Sequence, residues 1–261
     1  MRSADALAKW PAAVLLAGLC AAVGGAPAFS QDPSDAKGIS LQGTLGGSRI
    51  GMALQINNRS VVERAHYFYA EALKDIPLTG NVDGSTVTLH EATGGTFTLK
   101  FRGNGSEGGQ PLSLSNSVGL DGTWSNGAEN LPVRLDFESE WDVAPGARWY
   151  ADVTDESDAA FETRVRGFRT AVLSGNREAA AKYVDLPLRV NYPRTHMVRN
   201  AAQLSAEWER IFTPEFMELL RVTIPHDMFV HGGQAMLGNG LVWFNAKGAS
   251  AINPPRPENS H

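Results

Sequence analysis

The chain has 261 residues, with 23 Lys and Arg against 28 Asp and Glu, a net charge of −5, six His and a single Cys. A mildly acidic chain with no clustered basic face excludes the phosphate grip that a nucleic-acid partner requires. The one cysteine, Cys20, lies within the first thirty residues, so a chain trimmed there has no disulfide, no thiolate nucleophile and no thiolate metal ligand.

Residues 1–30 read as a secretory signal. Arg2 and Lys9 supply a positive start, Pro11 to Ala22 is apolar, and Ala26-Pro27-Ala28 is a small-x-small cleavage site ahead of polar Gln31-Asp32-Pro33-Ser34. Cleavage is expected after Ala28 or Ser30. The apolar run is well short of the ~20 residues that span a bilayer, so no stable membrane insertion is expected after cleavage. Leu19 precedes Cys20 where a lipoprotein signal needs a small residue, which argues against lipidation. The expected location is the periplasm or the exterior.

Residues 38–137 are predicted to form an all-β domain. Short β-prone runs at 39–41, 50–56, 65–69, 87–89 and 96–101 are separated by Gly46-Gly47, Asn57-Asn58, Asp83-Gly84, Gly94-Gly95 and Asn104-Gly105. Strands around Gly122-Thr123-Trp124 and Leu131 to Leu135 complete the pattern. A sandwich or small barrel is expected, since either protects the strand edges. Residues 138–156, acidic and containing Pro145-Gly146, read as a linker.

Beyond it the periodicity changes. Ala159, Phe161, Val165, Phe168 and Val172 recur at helical spacing, and Ser174-Gly175-Asn176 ends that helix. A short helix over 177–183, one over 203–211, and one opened by Thr213-Pro214-Glu215 follow. Strand-like runs return at 228–230, 234–237, 241–245 and 249–252. The expectation for 157–254 is therefore α+β, with 255–261 as a disordered tail.

The second half resembles the nuclear-transport-factor-2-like superfamily, which includes the SnoaL-like proteins. The resemblance rests on Phe161, Phe168, Ala171 and Val172, then Asn176-Arg177-Glu178-Ala179-Ala180, Leu186 to Asn191, Ile211-Phe212-Thr213-Pro214 and Met236 to Phe244. It implies an α+β cone, with helices packed on a curved antiparallel sheet over a pocket. It implies no single activity, because that superfamily holds isomerases, dehydratases, cyclases and binding modules. The first half is similar to β-rich regions of secreted bacterial proteins, which implies no chemistry.

No reaction-specific motif is present. Gly103-Asn104-Gly105-Ser106-Glu107-Gly108 matches the spacing of a dinucleotide loop, but Gly109 and Pro111 follow where a helix would have to begin, so a hairpin loop is expected. His226, Asp227 and His231 suggest a metal, yet strand positions five apart face opposite ways; turn and edge positions are expected, with no metal and no cofactor. Tyr183, Asp185, Tyr192, His196, His226 and His231 are the residue types an acid–base pocket would use, and none is assigned a catalytic role. His66 and Phe68 share one face of an aromatic run, Tyr67 and Tyr69 the other.

The candidates for binding a ligand are Arg189, Asn191, Tyr192, His231, Trp243 and Asn245. Arg189 and Asn191 face the same way and suit a carboxylate or sugar hydroxyls. Trp243 and Asn245, at alternate strand positions, suit a cavity mouth. The functional expectation is an exported binding or interaction protein whose partner is a small molecule or an envelope protein. The alternative is a small periplasmic isomerase, dehydratase or hydrolase working in the same pocket. A third reading is a homodimer formed through the open face of the sheet.

Overall fold

The structure, a computed structural model, describes residues 36–256 apart from Asn58, Glu107 and Pro145. The expected leader and residues 257–261 of the expected tail lie outside the described residues.

Eight antiparallel strands close on themselves in chain order: β1 (Ala36–Leu45), β2 (Ser48–Asn57), β3 (Val62–Tyr69), β4 (Ile76–Asp83), β5 (Thr86–Glu91), β6 (Thr96–Arg102), β7 (Gly119–Ser125) and β8 (Asn130–Val143). β8 pairs with β7 along one edge and with β1 along the other. The second pairing shifts register between Ser40 and Leu41, the local bend a long strand needs to follow the curvature. Closure leaves no free edge. At the β4–β5 turn Gly84 adopts φ 55°, the left-handed conformation that two-residue hairpins require.

Burial differs around the circumference, and the difference locates the junction. β5 and β6 alternate cleanly: Val87, Leu89, Phe97, Leu99 and Phe101 point inward between exposed or half-exposed neighbours. In β2 the inward Ile50, Met52, Leu54 and Ile56 are buried, and so are the outward Gly51, Ala53 and Gln55. In β3 the inward Ala65 and Tyr67 and the outward His66 and Phe68 are all buried. Strands buried on both faces have lost their alternation because something covers the outside.

The cover is the second half. It contains α1 (Asp158–Leu173), α2 (Arg177–Ala181), β9 (Val184–Val190), β10 (His196–Val198), α3 (Ala201–Ala206), α4 (Trp208–Ile211), α5 (Pro214–Val222), β11 (Phe229–His231), β12 (Gln234–Leu237), β13 (Val242–Asn245) and β14 (Gly248–Ile252). The strands form one sheet in the order β10-β9-β14-β13-β12-β11, antiparallel except where β14 runs parallel to β9. Four helix starts are capped by side chains. Ser157 accepts from the Ala160 amide, Asn176 from that of Ala179, Asn200 from that of Gln203, and Thr213 from that of Phe216.

The expected fold, a sandwich or barrel followed by an α+β cone, is corrected. The described residues are mostly β: a closed eight-stranded barrel and a second, six-stranded sheet, with only five α-helices. Glu207 is the physical reason in one segment. It is both the C-cap of α3 and the N-cap of α4, so the helix expected over 203–211 forms as pieces of 6 and 4 residues. With α2 at 5 residues, only α1, at 16, has the length to cover a broad sheet face.

The stretch 138–156 carries the end of β8 and then buried Trp149, Tyr150 and Val153, which join the core of the second half. Gln55 Nε2 and Arg64 Nη1 of the barrel both donate to the Ala147 carbonyl, at 3.0 and 2.9 Å. Barrel and second half pack as one compact unit. Among the described residues no helix is long and apolar enough to cross a membrane.

Candidate functional site

Polar side chains gather where β3 meets the second half. Strand alternation sends Tyr67 into the barrel, where its hydroxyl donates to Glu91 Oε1 at 2.8 Å, and so sends His66 and Phe68 outward under the cover. Asp75 stands immediately before β4. On α1 the buried side consists of Phe161, Glu162, Val165, Phe168, Ala171 and Val172, so Glu162 is a carboxylate at a core position of its helix. After α5 the chain returns to the barrel through Pro225 to Met228, and Asp227 turns it with φ 47°.

The contacts are short. His66 Nε2 donates to Asp227 Oδ2 at 2.6 Å and lies 3.5 Å from Asp75 Oδ1. His226 Nε2 donates to Asp75 Oδ1 at 2.6 Å, while its Nδ1 lies 2.5 Å from Glu162 Oε2. Glu162 Oε1 accepts from the Tyr150 hydroxyl at 2.9 Å and from the Asp227 amide at 3.3 Å, and the Tyr150 oxygen accepts from the Met228 amide at 3.0 Å. The rings stack around them: Phe68 sits edge-on to His226 with centroids 4.2 Å apart, and Trp149 edge-on to His66 at 5.2 Å. The side chains of His66, His226, Glu162 and Asp227 are 5, 6, 5 and 3% exposed, whereas that of Asp75 is 47% exposed.

Burial and charge compete at each group. Burial pulls the His226 imidazole down, but its contacts with Asp75 and Glu162 and the charge of Asp227 overcome this and push it up to about 10. Burial likewise pulls His66 down, but Asp227 and Asp75 outweigh it and raise the imidazole above its ordinary value. Burial raises the Glu162 carboxyl against the lowering pull of His226. The Asp75 carboxyl ends low, because His226 and His66 outweigh its partial burial. Burial, with the charges of Glu162 and Asp227, holds the Tyr150 phenol well above its ordinary range. Three buried atoms here still have no well-directed hydrogen bond: His226 Nδ1, whose contact with Glu162 is bent, Asp227 Oδ1 and Trp149 Nε1.

Beside this cluster is a cavity of about 470 Å³, open to solvent between the outer face of β1 and β8 and the second half. His226 and Asp227 line it together with Ser40 and Glu138 from the barrel. Leu219 and Val222 at the end of α5 also line it, and both are exposed, at 48 and 64%.

The residues singled out from the sequence go elsewhere. Arg189 Nε donates to Asn191 Oδ1 at 2.7 Å, and Asn191 Nδ2 donates to Asn253 Oδ1 at 2.6 Å, so this pair ties β9 to the residue after β14. Asn245 donates to Asp185 and accepts two amides of its own turn, Lys247 and Gly248. Tyr192 is half-buried before Pro193. His231 is exposed at the end of β11, stacked on Phe229, and Trp243 is half-buried on β13. None of the six lines the cavity described above. His196 pairs with Glu207 at 2.8 Å.

His226 and Asp227 lie in the bend before β11, and His231 ends that edge strand, as the turn and edge expectation for the two histidines had it. His226 and Asp227 are nevertheless 7 and 5% exposed and face the barrel. Their partner is His66, 161 positions from Asp227, and strand parity with His231 has no bearing on it. Asp75, Tyr150 and Glu162 were not singled out from the sequence. Only Glu162 left a signal there, a charged residue on the apolar side of a helix, four positions after Asp158 and three before Val165.

Comparison with protein-family models, with curated proteins and with solved structures finds no match.

Proposed function

We propose that the protein is an exported binding protein that holds a small amphipathic molecule in the cavity between the barrel and the second half. The observation that carries this reading is the cavity itself. At about 470 Å³ it is of the size that small-ligand sites take, and it combines an exposed apolar rim, Leu219 and Val222, with a buried polar floor, His226 and Asp227. An apolar tail would cover the rim while a polar head met the floor. His226 has both ring nitrogens against carboxylates, Asp75 and Glu162, which leaves neither free to act as a general base on a ligand. This supports binding over acid–base catalysis.

Export rests on the first thirty residues and is checked by the mass of the protein recovered from outside the cytoplasm, which should lack them. Binding is checked by thermal shift against fatty acids, lysophospholipids and cell-wall fragments. A ligand at a hundred times its Kd adds about 2.7 kcal/mol, roughly 5–11 °C for a chain of this size. Val222→Trp, at the exposed rim, should abolish that shift without lowering the unliganded midpoint. No shift with any probe, or a shift that survives Val222→Trp, would refute the reading.

A further inference from the structure

The cluster at the junction is satisfied only in part by its own hydrogen bonds, and its donor atoms suit something other than protons. We propose that His66 Nε2, Asp75 Oδ1 and His226 Nε2 bind a divalent transition-metal ion.

Geometry is the first argument. His66, Asp75 and His226 offer ligand atoms that all lie within 4.8 Å of one another. Asp75 Oδ1 is 2.6 Å from one imidazole nitrogen and 3.5 Å from the other. Tetrahedral zinc with bonds of about 2.0–2.1 Å spaces its ligand atoms roughly 3.3 Å apart. The shorter contact therefore opens by less than about 1 Å to admit the ion. Asp227 Oδ2 lies 2.6 Å from His66 Nε2 and orients that ring beside the site.

The surroundings are those of a ligand shell. A metal-bound imidazole characteristically passes its other N–H to a carboxylate, which fixes the ring. Glu162 is in place to do this for His226 Nδ1, and it is itself held by the Tyr150 hydroxyl and the Asp227 amide. Asp227 Oδ1, on a side chain only 3% exposed, has no hydrogen-bond partner in the cluster. Imidazole with carboxylate selects zinc, cobalt, manganese or iron over magnesium and calcium.

Glu162, His226 and Asp227 form a second convergent set on the other side of the same ring. That side is wholly buried, whereas the half-exposed Asp75 gives a hydrated ion a way in. The ligands come from β3, from the residue before β4 and from the connection before β11, so the ion would link barrel to second half. The ion would share His226 with the floor of the cavity, so the two readings are separated by their variants, Asp75→Asn for the ion and Val222→Trp for the cavity's occupant.

The test uses untagged, EDTA-stripped full chain, titrated with Zn²⁺ by calorimetry and with Co²⁺ by visible absorption. One ion per chain is expected, with a cobalt spectrum of tetrahedral intensity and no competition from Mg²⁺. Glu162→Gln should weaken binding about 10- to 100-fold, as loss of an outer carboxylate does. Asp75→Asn, at an exposed position that leaves the core intact, should weaken it more than that, and His231→Ala should leave it unchanged. The proposal is overturned if the wild-type chain binds no stoichiometric ion, or if Asp75→Asn binds as tightly as wild type. It is also overturned if Glu162→Gln loses more than Asp75→Asn, which would put the ion on the buried side of His226.

Discussion

Phe68 projects from the outside of a β-barrel, where a large apolar side chain has no reason to be unless a second layer covers it. It is 2% exposed, and its ring packs at 4.2 Å on His226 of the second half. Truncation to alanine should therefore cost what a core phenylalanine costs, about 3–5 kcal/mol, because the covering layer cannot collapse into the gap without moving Trp149 and the His226 connection. For a chain of this length that lowers Tm by roughly 6–20 °C. His90, exposed on β5 on the far side of the barrel, is the control, and His90→Ala should change stability by less than about 0.5 kcal/mol. Urea unfolding followed by tryptophan fluorescence and by far-ultraviolet circular dichroism reads both. If barrel and second half are one cooperative unit, the two probes coincide and the whole transition moves in Phe68→Ala. A loss below about 1 kcal/mol, or a transition that splits with the barrel part unmoved, would refute the argument that the second half is packed on β2 and β3.

Further consequences follow from neighbouring residues. Gly51 leaves room for Phe68: a Cβ there would sit 2.1 Å from Phe68 Cζ, so Gly51→Ala should cost about 1–3 kcal/mol by overpacking. That cost should largely vanish in the Phe68→Ala background, and a double-mutant cycle by urea unfolding checks the coupling. Glu207 gives a pH dependence. Partial burial works against its ionised form, but hydrogen bonds from Gln203, His196 and Arg210 prevail and hold its carboxyl below the ordinary range. A depressed carboxyl stabilises the fold above its unfolded pKa of about 4.3, and that stability is lost as pH falls through the lower folded value. The stability gap between wild type and Glu207→Gln should accordingly be full at pH 7 and close below about pH 4. A gap that is unchanged in acid would show that the carboxylate's ionisation is not what holds His196 and Arg210.

Local signals in the sequence were sound where they concerned local things. Strand runs at 87–89 and 96–101 lie within β5 and β6, and Asp83-Gly84 marks the turn before β5. The helix ended by Ser174-Gly175 is α1, and Thr213-Pro214 opens α5. The continuous run Ile50 to Ile56, with small Gly51 and Ala53 between large residues, already carried the mark of a strand buried on both faces. It was open to being read as partial alternation because periodicity reports how a residue lies on its own element and says nothing of what covers it. The helices of the second half failed the expectation for a related reason. An apolar period is satisfied equally by one helix and by two short ones, and the break falls at Glu207, the boundary that both share.

Composition and periodicity alone thus determined the strand-rich first half, the capped helix ends and the absence of any thiol chemistry beyond Cys20. Only tertiary structure decided which outward face of the barrel is covered. It also decided that Tyr150, Glu162, His226 and Asp227 meet His66 and Asp75 there. The reason is physical: those six residues come from five separate segments, up to 161 positions apart, and no local pattern encodes the pairing of two surfaces. A buried imidazole and a buried carboxylate are each costly alone and tolerable only together. Their partnership therefore exists in the folded chain and leaves only a faint trace along the sequence, one glutamate on the apolar side of α1.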